Sequence, residues 1–277
     1  MNYNTLIVFP EGKQKALTLS YDDGPIQDKK LIELLNRYGV KATFNLNSGL
    51  WAQDDDPEGL FPKRMTYQEA IDTYKDSGHE IACHGFTHPW LDQLPEGVAA
   101  YEIVQDRKAL EEQFGCIVRG MAYPFGTYND KIVETAKNAG IVYSRTIAST
   151  HDLYLTTDWL RLAATCHHDD PELMNLAHRF IDTKPFANPY LFYLWGHSFE
   201  FDIHNNWDRM EEFLKYVSGK EDVWYATNIE IHDYIEAYRS LQFSYDLQRV
   251  KNPTATKIWF KTQANQYAIE PGQTIEL

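Results

Sequence analysis

Cysteine is scarce in this 277-residue sequence, which has three: Cys83, Cys116 and Cys166. So small and odd a number excludes a disulfide framework and points to a reducing compartment. Positive charge is also short, with 26 Lys and Arg against 40 Asp and Glu and a net charge of −14. No run of Lys or Arg offsets this, so nucleic acid and anionic membranes are excluded as partners held by bulk charge. No stretch approaches the roughly 20 apolar residues of a membrane span. The N-terminus has one short apolar run, Leu6 to Phe9, and no basic residue before Lys13. It does not read as a signal peptide, and a cytoplasmic location is expected. A glycine-rich phosphate loop and an internal repeat are both missing. Disorder is excluded by what is present: 43% hydrophobic and 14% aromatic residues.

Short apolar runs alternate with amphipathic stretches. Strands are expected at Lys15–Tyr21, Val40–Leu46, His79–Cys83, Val118–Tyr123, Ile141–Arg145, Leu160–Ala164, Tyr190–Trp195 and Val223–Ala226. Helices are expected between them at Asp28–Tyr38, Thr66–Ser77, Gly97–Phe114, Asn129–Asn138, Pro171–Asp182, Asn206–Val217 and Asn228–Leu241. Thr66 and Glu69 have the spacing of a capping box, and Pro171 suits a helix start. Strand–helix repeats without hairpin signals imply a parallel sheet. The expected fold is α/β, a distorted (β/α) barrel of about seven to eight parallel strands, with an open doubly wound sheet as the alternative. The expected division is a barrel over 1–241 and a short β extension over 242–277, packed on the barrel. The extension reads as strands such as Lys257–Lys261 and Tyr267–Ile269 around a Pro271-Gly272 turn, too short to hold a core alone.

Three clusters fall at expected strand ends. Asp22 and Asp23 precede Gly24-Pro25; adjacent carboxylates point in different directions, so one can bind a metal while the other faces a substrate. Asp, Gly and Pro are also turn formers. His84 and His88 are four apart in a loop favoured by Gly85 and Pro89. Two imidazoles and a carboxylate with an open position make a catalytic zinc arrangement, and other divalent metals suit it too. His197 follows Trp195-Gly196 after an apolar strand, where a histidine can be a general acid or base or can cap the strand. Gly196 allows close approach of the backbone. Glu200 and Asp202 can orient His197 or begin a solvated loop.

In order along the chain, these residues resemble the polysaccharide deacetylase family, the NodB homology domain of carbohydrate esterase family 4. The first motif stands as Leu19-Ser20-Tyr21-Asp22-Asp23-Gly24-Pro25, the second as His84-Gly85-Phe86-Thr87-His88, and the third as Ala122-Tyr123-Pro124-Phe125-Gly126. The fourth is Asp158-Trp159, and the fifth ends in His197. The resemblance spans roughly Lys15 to Leu241. It implies a hydrolase of carbon–nitrogen amide bonds other than peptide bonds, which removes an N-acetyl group from a sugar or small glycoconjugate. It implies a divalent metal, zinc first with cobalt or nickel as alternatives, on Asp23, His84 and His88. Asp22 is then the base, His197 the acid for the leaving amine, and Asp158 the residue that holds His197. Tyr123, Phe125 and Trp159 line the substrate, with a backbone N–H near Phe125 for the oxyanion. Ala122 stands where the family's third motif has arginine, and Arg119 or Arg161 is expected to replace it. Two alternatives stand beside this: a hydrolase of a non-sugar C–N bond or acetyl ester, and a catalytically weak carbohydrate-binding protein. The partner is then an acetylated carbohydrate or other small amide; nothing indicates the oligomeric state.

Other residues carry weaker readings. Trp51, Trp90, Trp159 and Trp207 fit sugar stacking or plain packing. His167-His168-Asp169-Asp170 can line the rim of the site, but a helix start at Asp170-Pro171 is favoured. The Asp54-Asp55-Asp56 run reads as a solvated loop, and the cysteines as structural.

Overall fold

The computed structural model describes residues 6–53, 56, 61–155, 158–262 and 265–277. Asp54 and Asp55 lie outside them. The strands are β1 Leu6–Val8, β2 Lys15–Asp22, β3 Ala42–Leu46, β4 Glu80–Cys83, β5 Gly120–Ala122, β6 Tyr143–Ser149, β7 Leu162–Ala164, β8 Cys166–His167, β9 Tyr190–Gly196, β10 Val223–Tyr225, β11 Gln242–Phe243, β12 Arg249–Lys251, β13 Ile258–Lys261, β14 Gln266–Ile269 and β15 Thr274–Glu276. The helices are α1 Asp28–Tyr38, α2 Tyr67–Tyr74, α3 Glu96–Phe114, α4 Asp130–Asn138, α5 Leu173–Asp182, α6 Glu200–Ile203, α7 Trp207–Val217 and α8 Asn228–Arg239.

The large sheet is parallel and runs β7-β6-β5-β4-β3-β2-β9-β8. β7 and β8 are separated only by Thr165, and they pair with β6 and β9 respectively. One bent strand therefore closes the ring, with Thr165 N–H bonded to Tyr193 O at 2.8 Å. β10 is a wedge: it shares one edge of β2 with β3, pairing with Lys15–Leu17 while β3 pairs with Leu19–Asp22. This is the expected distorted barrel. All eight residues of β2 are buried, as a strand covered on both faces requires.

The alternation along β2 separates two environments. Leu17, Leu19 and Tyr21 join the core under α1, α3, α5 and α7. Thr18, Ser20 and Asp22 enter a polar interior instead. There Thr18 Oγ1 donates to Asn228 Oδ1, Asn228 Nδ2 to the Tyr193 hydroxyl, and Asn45 Nδ2 to Ser20 Oγ. These groups pair with one another, as buried polar atoms tend to, and Asn45 Oδ1 alone among them has no partner among the described residues. Asn228 opens α8, so that helix start is docked among the strands, and its Thr227–Glu230 capping box fixes its entry.

The tail forms two three-stranded antiparallel sheets, β11-β12-β15 and β1-β13-β14. The N-terminal strand β1 thus pairs with the tail, Ile7 opposite Phe260. Val250, Ile258, Phe260 and Ile269 share a core with Ala237 and Leu241 at the end of α8. The Tyr234 hydroxyl of α8 donates to Val8 O and accepts from Trp259 N–H. One helix start differs from expectation by more than a residue. α5 begins at Leu173 rather than Pro171, because Asp170 turns back to accept the Glu172 N–H at 2.9 Å. No described helix is long and apolar enough to cross a membrane.

Candidate active site

The C-terminal ends of β2, β4, β6 and β9 bring the site together. Asp22 ends β2, and Asp23 follows in left-handed backbone at φ 79°. Its N–H is held by Asn45 O, and its carbonyl accepts from Arg64 Nη1. Arg64 also approaches Asp23 Oδ1 at 3.4 Å through Nη2 and donates to Asn47 Oδ1 at 3.0 Å. His88 and Phe125 are likewise left-handed, at φ 54° and 55°. Such residues cost on the order of 1–3 kcal/mol each and persist where surrounding contacts over-determine them.

His84 and His88 face each other, with their Nε2 atoms 3.2 Å apart. Asp23 Oδ1 lies 3.6 Å from His88 Nε2 and 3.9 Å from His84 Nε2. The other nitrogen of His84, Nδ1, is 2.8 Å from Ala122 O, which places its proton there and aims the Nε2 lone pair inward. Burial pushes both imidazoles down, and the His84 ring adds to this at His88, which falls to about 4. Two neutral lone pairs and a carboxylate on one point are what a cation requires. Tetrahedral bonds of 2.0–2.1 Å put ligand atoms about 3.3 Å apart, close to the spacings seen. Asp23, His84 and His88 therefore form a group that can hold a metal ion.

Asp22 lies beside this group, with Oδ2 3.8 Å from His84 Nε2 and 3.9 Å from His197 Nε2. Asn45 Nδ2 donates to its Oδ1 at 2.8 Å, and Arg145 Nη2 donates to its Oδ2. Burial pushes the Asp22 carboxyl up, but Arg145, His84, His197 and Asn45 outweigh it and hold it below its ordinary value. Arg145 is the arginine that Arg119 and Arg161 were expected to supply. Arg119 pairs with Asp233, and Arg161 pairs with Asp158 and Asp130. The physical reason is register: Arg145 in β6 stands directly opposite Ala122 in β5. The neighbouring strand therefore supplies the guanidinium at the same level of the barrel. It stacks on Trp195, with Cζ 4.4 Å from the ring centroid.

The carboxylate at His197 is that of Glu200. Its Oε2 accepts the His197 backbone N–H at 3.0 Å and lies 3.3 Å from Nδ1. Burial alone lowers a histidine, but Glu200, Asp22 and Asp23 together raise His197 above its ordinary value. Glu200, pushed up by burial, is pulled well below the usual range by His167 and His197. Asp158, expected at His197, stands in the ion pair with Arg161 at 3.1 Å. Trp159 donates its indole N–H to Glu236 of α8, and its ring meets His232. The Tyr123 hydroxyl donates to Leu160 O, and its ring stacks on Tyr128. The fourth motif and the Tyr123 side chain are thus engaged with the barrel wall.

Phe125 does meet the site, edge-on to His88 at 4.4 Å between centroids. In its turn, Pro124 has no N–H, while Tyr123, Gly126 and Thr127 donate to Arg145 O, Tyr123 O and Pro124 O. That leaves the Phe125 N–H without a backbone acceptor among the described residues. Trp90 stacks on Phe125 at 3.9 Å, and the rings are 47% and 41% exposed. On the other side Phe199 lies 5.2 Å from His197 and meets Phe61. Of the four candidate tryptophans, Trp51 is buried with its N–H on Gln113, and Trp207 packs on Phe201.

Residues 10–144 match the sequence model of the polysaccharide deacetylase family. That stretch, just under half of the chain, is similar to the polysaccharide deacetylase family. The chain is 25% identical over 175 residues to the peptidoglycan-N-acetylglucosamine deacetylase PgdA of Listeria monocytogenes, an alignment covering 53% of this chain and 35% of PgdA. It is 28% identical over 151 residues to a chitooligosaccharide deacetylase of Sinorhizobium fredii, covering 53% and 60% of the two. The chain thus spans about a third to three fifths of these relatives. A Mycobacterium smegmatis structure assigned as a polysaccharide deacetylase superposes with TM-score 0.60 at 18% identity, over 86% of this chain and 96% of that one. Peptidoglycan deacetylase PdaC of Bacillus subtilis gives 0.53 at 18% identity, over 84% and 96%. At that identity the likeness is one of fold, and it agrees with the barrel.

Arg64, Arg145 and Asn45 have no role assigned from the sequence, whereas Trp90 was a candidate for sugar stacking. Arg145 left one signal, the single charge in an otherwise uncharged strand, which is costly to bury without an anion.

Proposed function

We propose that this protein is a metal-dependent hydrolase that removes an N-acetyl group from a sugar or small glycoconjugate. The observation that carries this is the convergence of Asp22, Asp23, His84, His88 and His197 at one end of a barrel of this family. The relatives named as peptidoglycan and chitooligosaccharide deacetylases support the amide and the sugar. Asp23, His84 and His88 would hold a divalent cation, zinc by its two nitrogens and one carboxylate, which supplies a Lewis acid for the acetyl carbonyl and the attacking water.

The remaining steps fall to the chain's own side chains. Asp22 is ionised and fixed by Arg145 and Asn45, and accepts the proton of the attacking water. The Phe125 N–H is the backbone donor offered to the developing oxyanion. His197, kept protonated by Glu200, gives its Nε2 proton to the departing amine. Trp90 and Phe125 on one side and Phe199 on the other offer ring faces to a sugar. The free thiols, Cys116 among them exposed, support a reducing compartment and with it the cytoplasm.

The test is acetate release from N-acetylglucosamine oligomers by chelator-stripped protein with and without added zinc. Zinc-dependent acetate is the expected result. Acetate released only from acetyl esters or from non-sugar amides would move the assignment to those substrates. None from any of them, with zinc bound, would overturn it.

A further inference from the structure

A second convergence of ligand atoms lies next to the first, on the far side of His197. His168 follows β8 and is 1% exposed. Its ring is sandwiched between Tyr21 and Phe201, and neither ring nitrogen has a hydrogen-bond partner among the described residues. Its Nε2 is 3.3 Å from Glu200 Oε2 and 3.6 Å from Asp169 Oδ2. The separation suits a hydrogen bond, but the direction does not. It does suit the edges of a tetrahedron around a cation bonded at 2.0–2.1 Å, which are about 3.3 Å.

Charge points the same way. Two carboxylate oxygens lie within 4.8 Å of each other and of the imidazole. No lysine or arginine among the described residues forms a salt bridge with either carboxylate: Arg209 donates to the backbone carbonyls of Asp169 and Asp170 instead. Buried or half-buried carboxylates this close need a countercharge.

An outer ring of donors fixes the ligands. His167 takes the Asp169 N–H on Nδ1 at 3.2 Å, so its Nε2 carries the proton and faces Glu200 Oε2 at 3.1 Å. His204 Nδ1 is 2.7 Å from Asp169 Oδ2, and Asn206 Nδ2 donates to Oδ1 at 2.8 Å. Such partners orient carboxylates at metal sites. Gly196 completes the setting, since a Cβ there would stand 2.0 Å from His168 Nδ1.

We propose that His168, Asp169 and Glu200 bind a second divalent cation of the zinc class, separate from the centre at Asp23, His84 and His88. Glu200 is shared, because the same oxygen holds the His197 N–H. The second cation thereby fixes the loop that carries His197. The inference does not rest on the deacetylase reading, and its test needs no substrate.

Protein stripped with chelator is reloaded with excess zinc, desalted and its zinc counted per chain by mass spectrometry, with thermal melts to confirm folding. The expected result is two zinc in wild type, one in His168→Gln and one in Asp169→Asn. Asp169 is partly exposed, so its variant tests the site even where the buried histidine does not tolerate change. Asp23→Asn is expected to keep one zinc, which Asp23→Asn/Asp169→Asn loses. Cobalt in Asp23→Asn is expected to show the visible absorption of a tetrahedral site, bleached by the added Asp169→Asn. Fewer than two zinc in wild type, or two retained in either His168→Gln or Asp169→Asn, overturns the proposal.

Discussion

The two clusters flanking His197 hold similar donors in different electrostatic settings. Around Asp22 and Asp23 the negative charge is met by protein: Arg145 on one carboxylate, Arg64 on the other. His84 is fixed through Ala122 O. Around Asp169 and Glu200 the carboxylates face imidazoles, the Asn206 amide and the His197 N–H, with no lysine or arginine salt bridge among the described residues. The first cluster is assembled from strands β2, β4, β5 and β6, each of which supplies a part. The second is built from a loop and the short helix α6. The comparison teaches that the proposed base, Asp22, carries a fixed countercharge of its own, whereas Asp169 and Glu200 have no guanidinium or ammonium salt bridge among the described residues.

The largest effect that sharpens this contrast is expected from His88→Ala. It should lose the first metal, and zinc-dependent acetate release should fall to background, while the second cluster keeps its zinc. Asp22→Asn leaves all three ligands in place. It should retain the metal and lose about 10²–10⁴-fold in kcat, the range for a general base. Arg145→Met should break the balance on that side. It strands a buried carboxylate, a change that costs about 3–5 kcal/mol of stability in chemical denaturation. It also removes a group that lowers the Asp22 pKa, so the acid limb of the pH profile should move to higher pH.

Glu200→Gln probes the second side. Glu200 raises His197, which must be protonated to act, so its removal should shift the alkaline limb to lower pH by about 1 unit or more. The smallest effects are expected from Arg119→Ala and Arg161→Ala. Both are rim ion pairs, worth about 0–1 kcal/mol each, and kcat should be unchanged. A large kcat loss in Arg161→Ala would return the orienting role to Asp158-Trp159.

Stability should carry its own pH signature. Asp28 is buried under the Tyr74 and Ser198 hydroxyls, and burial raises its carboxyl to about 7. An unfolded aspartate titrates near about 3.9. Between these values the folded chain holds a proton that the unfolded chain has released, so stability falls as pH rises from about 4 to 7. Denaturation midpoints measured across that window should show this slope, and Asp28→Asn should flatten it.

Much of the site was legible because its donors end strands whose apolar runs are themselves legible. Asp22-Asp23 closes β2, His84 follows β4 and His197 follows β9. The order of the motifs was enough to group them. What stayed hidden came from elements distant in sequence. Arg145 reaches Asp22 through a register match between β5 and β6, and register is a property of paired strands, not of either one. Asp158 was placed at His197 by motif order, but the carboxylate that arrives there is three residues on from the histidine. The His167–Asp170 stretch read as a helix start because Asp-Pro suits one. The fold instead uses Asp170 to turn the chain and leaves His168 facing inward.

The amino-acid order therefore determined the alternation of strand and helix, the closed parallel architecture and the grouping of Asp23, His84 and His88 at strand ends. Each depends on local periodicity or on residues at strand ends. The tertiary structure alone decided which arginine balances Asp22, which carboxylate holds His197, and that Leu6–Val8 belongs with the tail. Those depend on which buried charges and strand edges meet, and burial makes an unmatched charge or an unpaired edge too costly to leave.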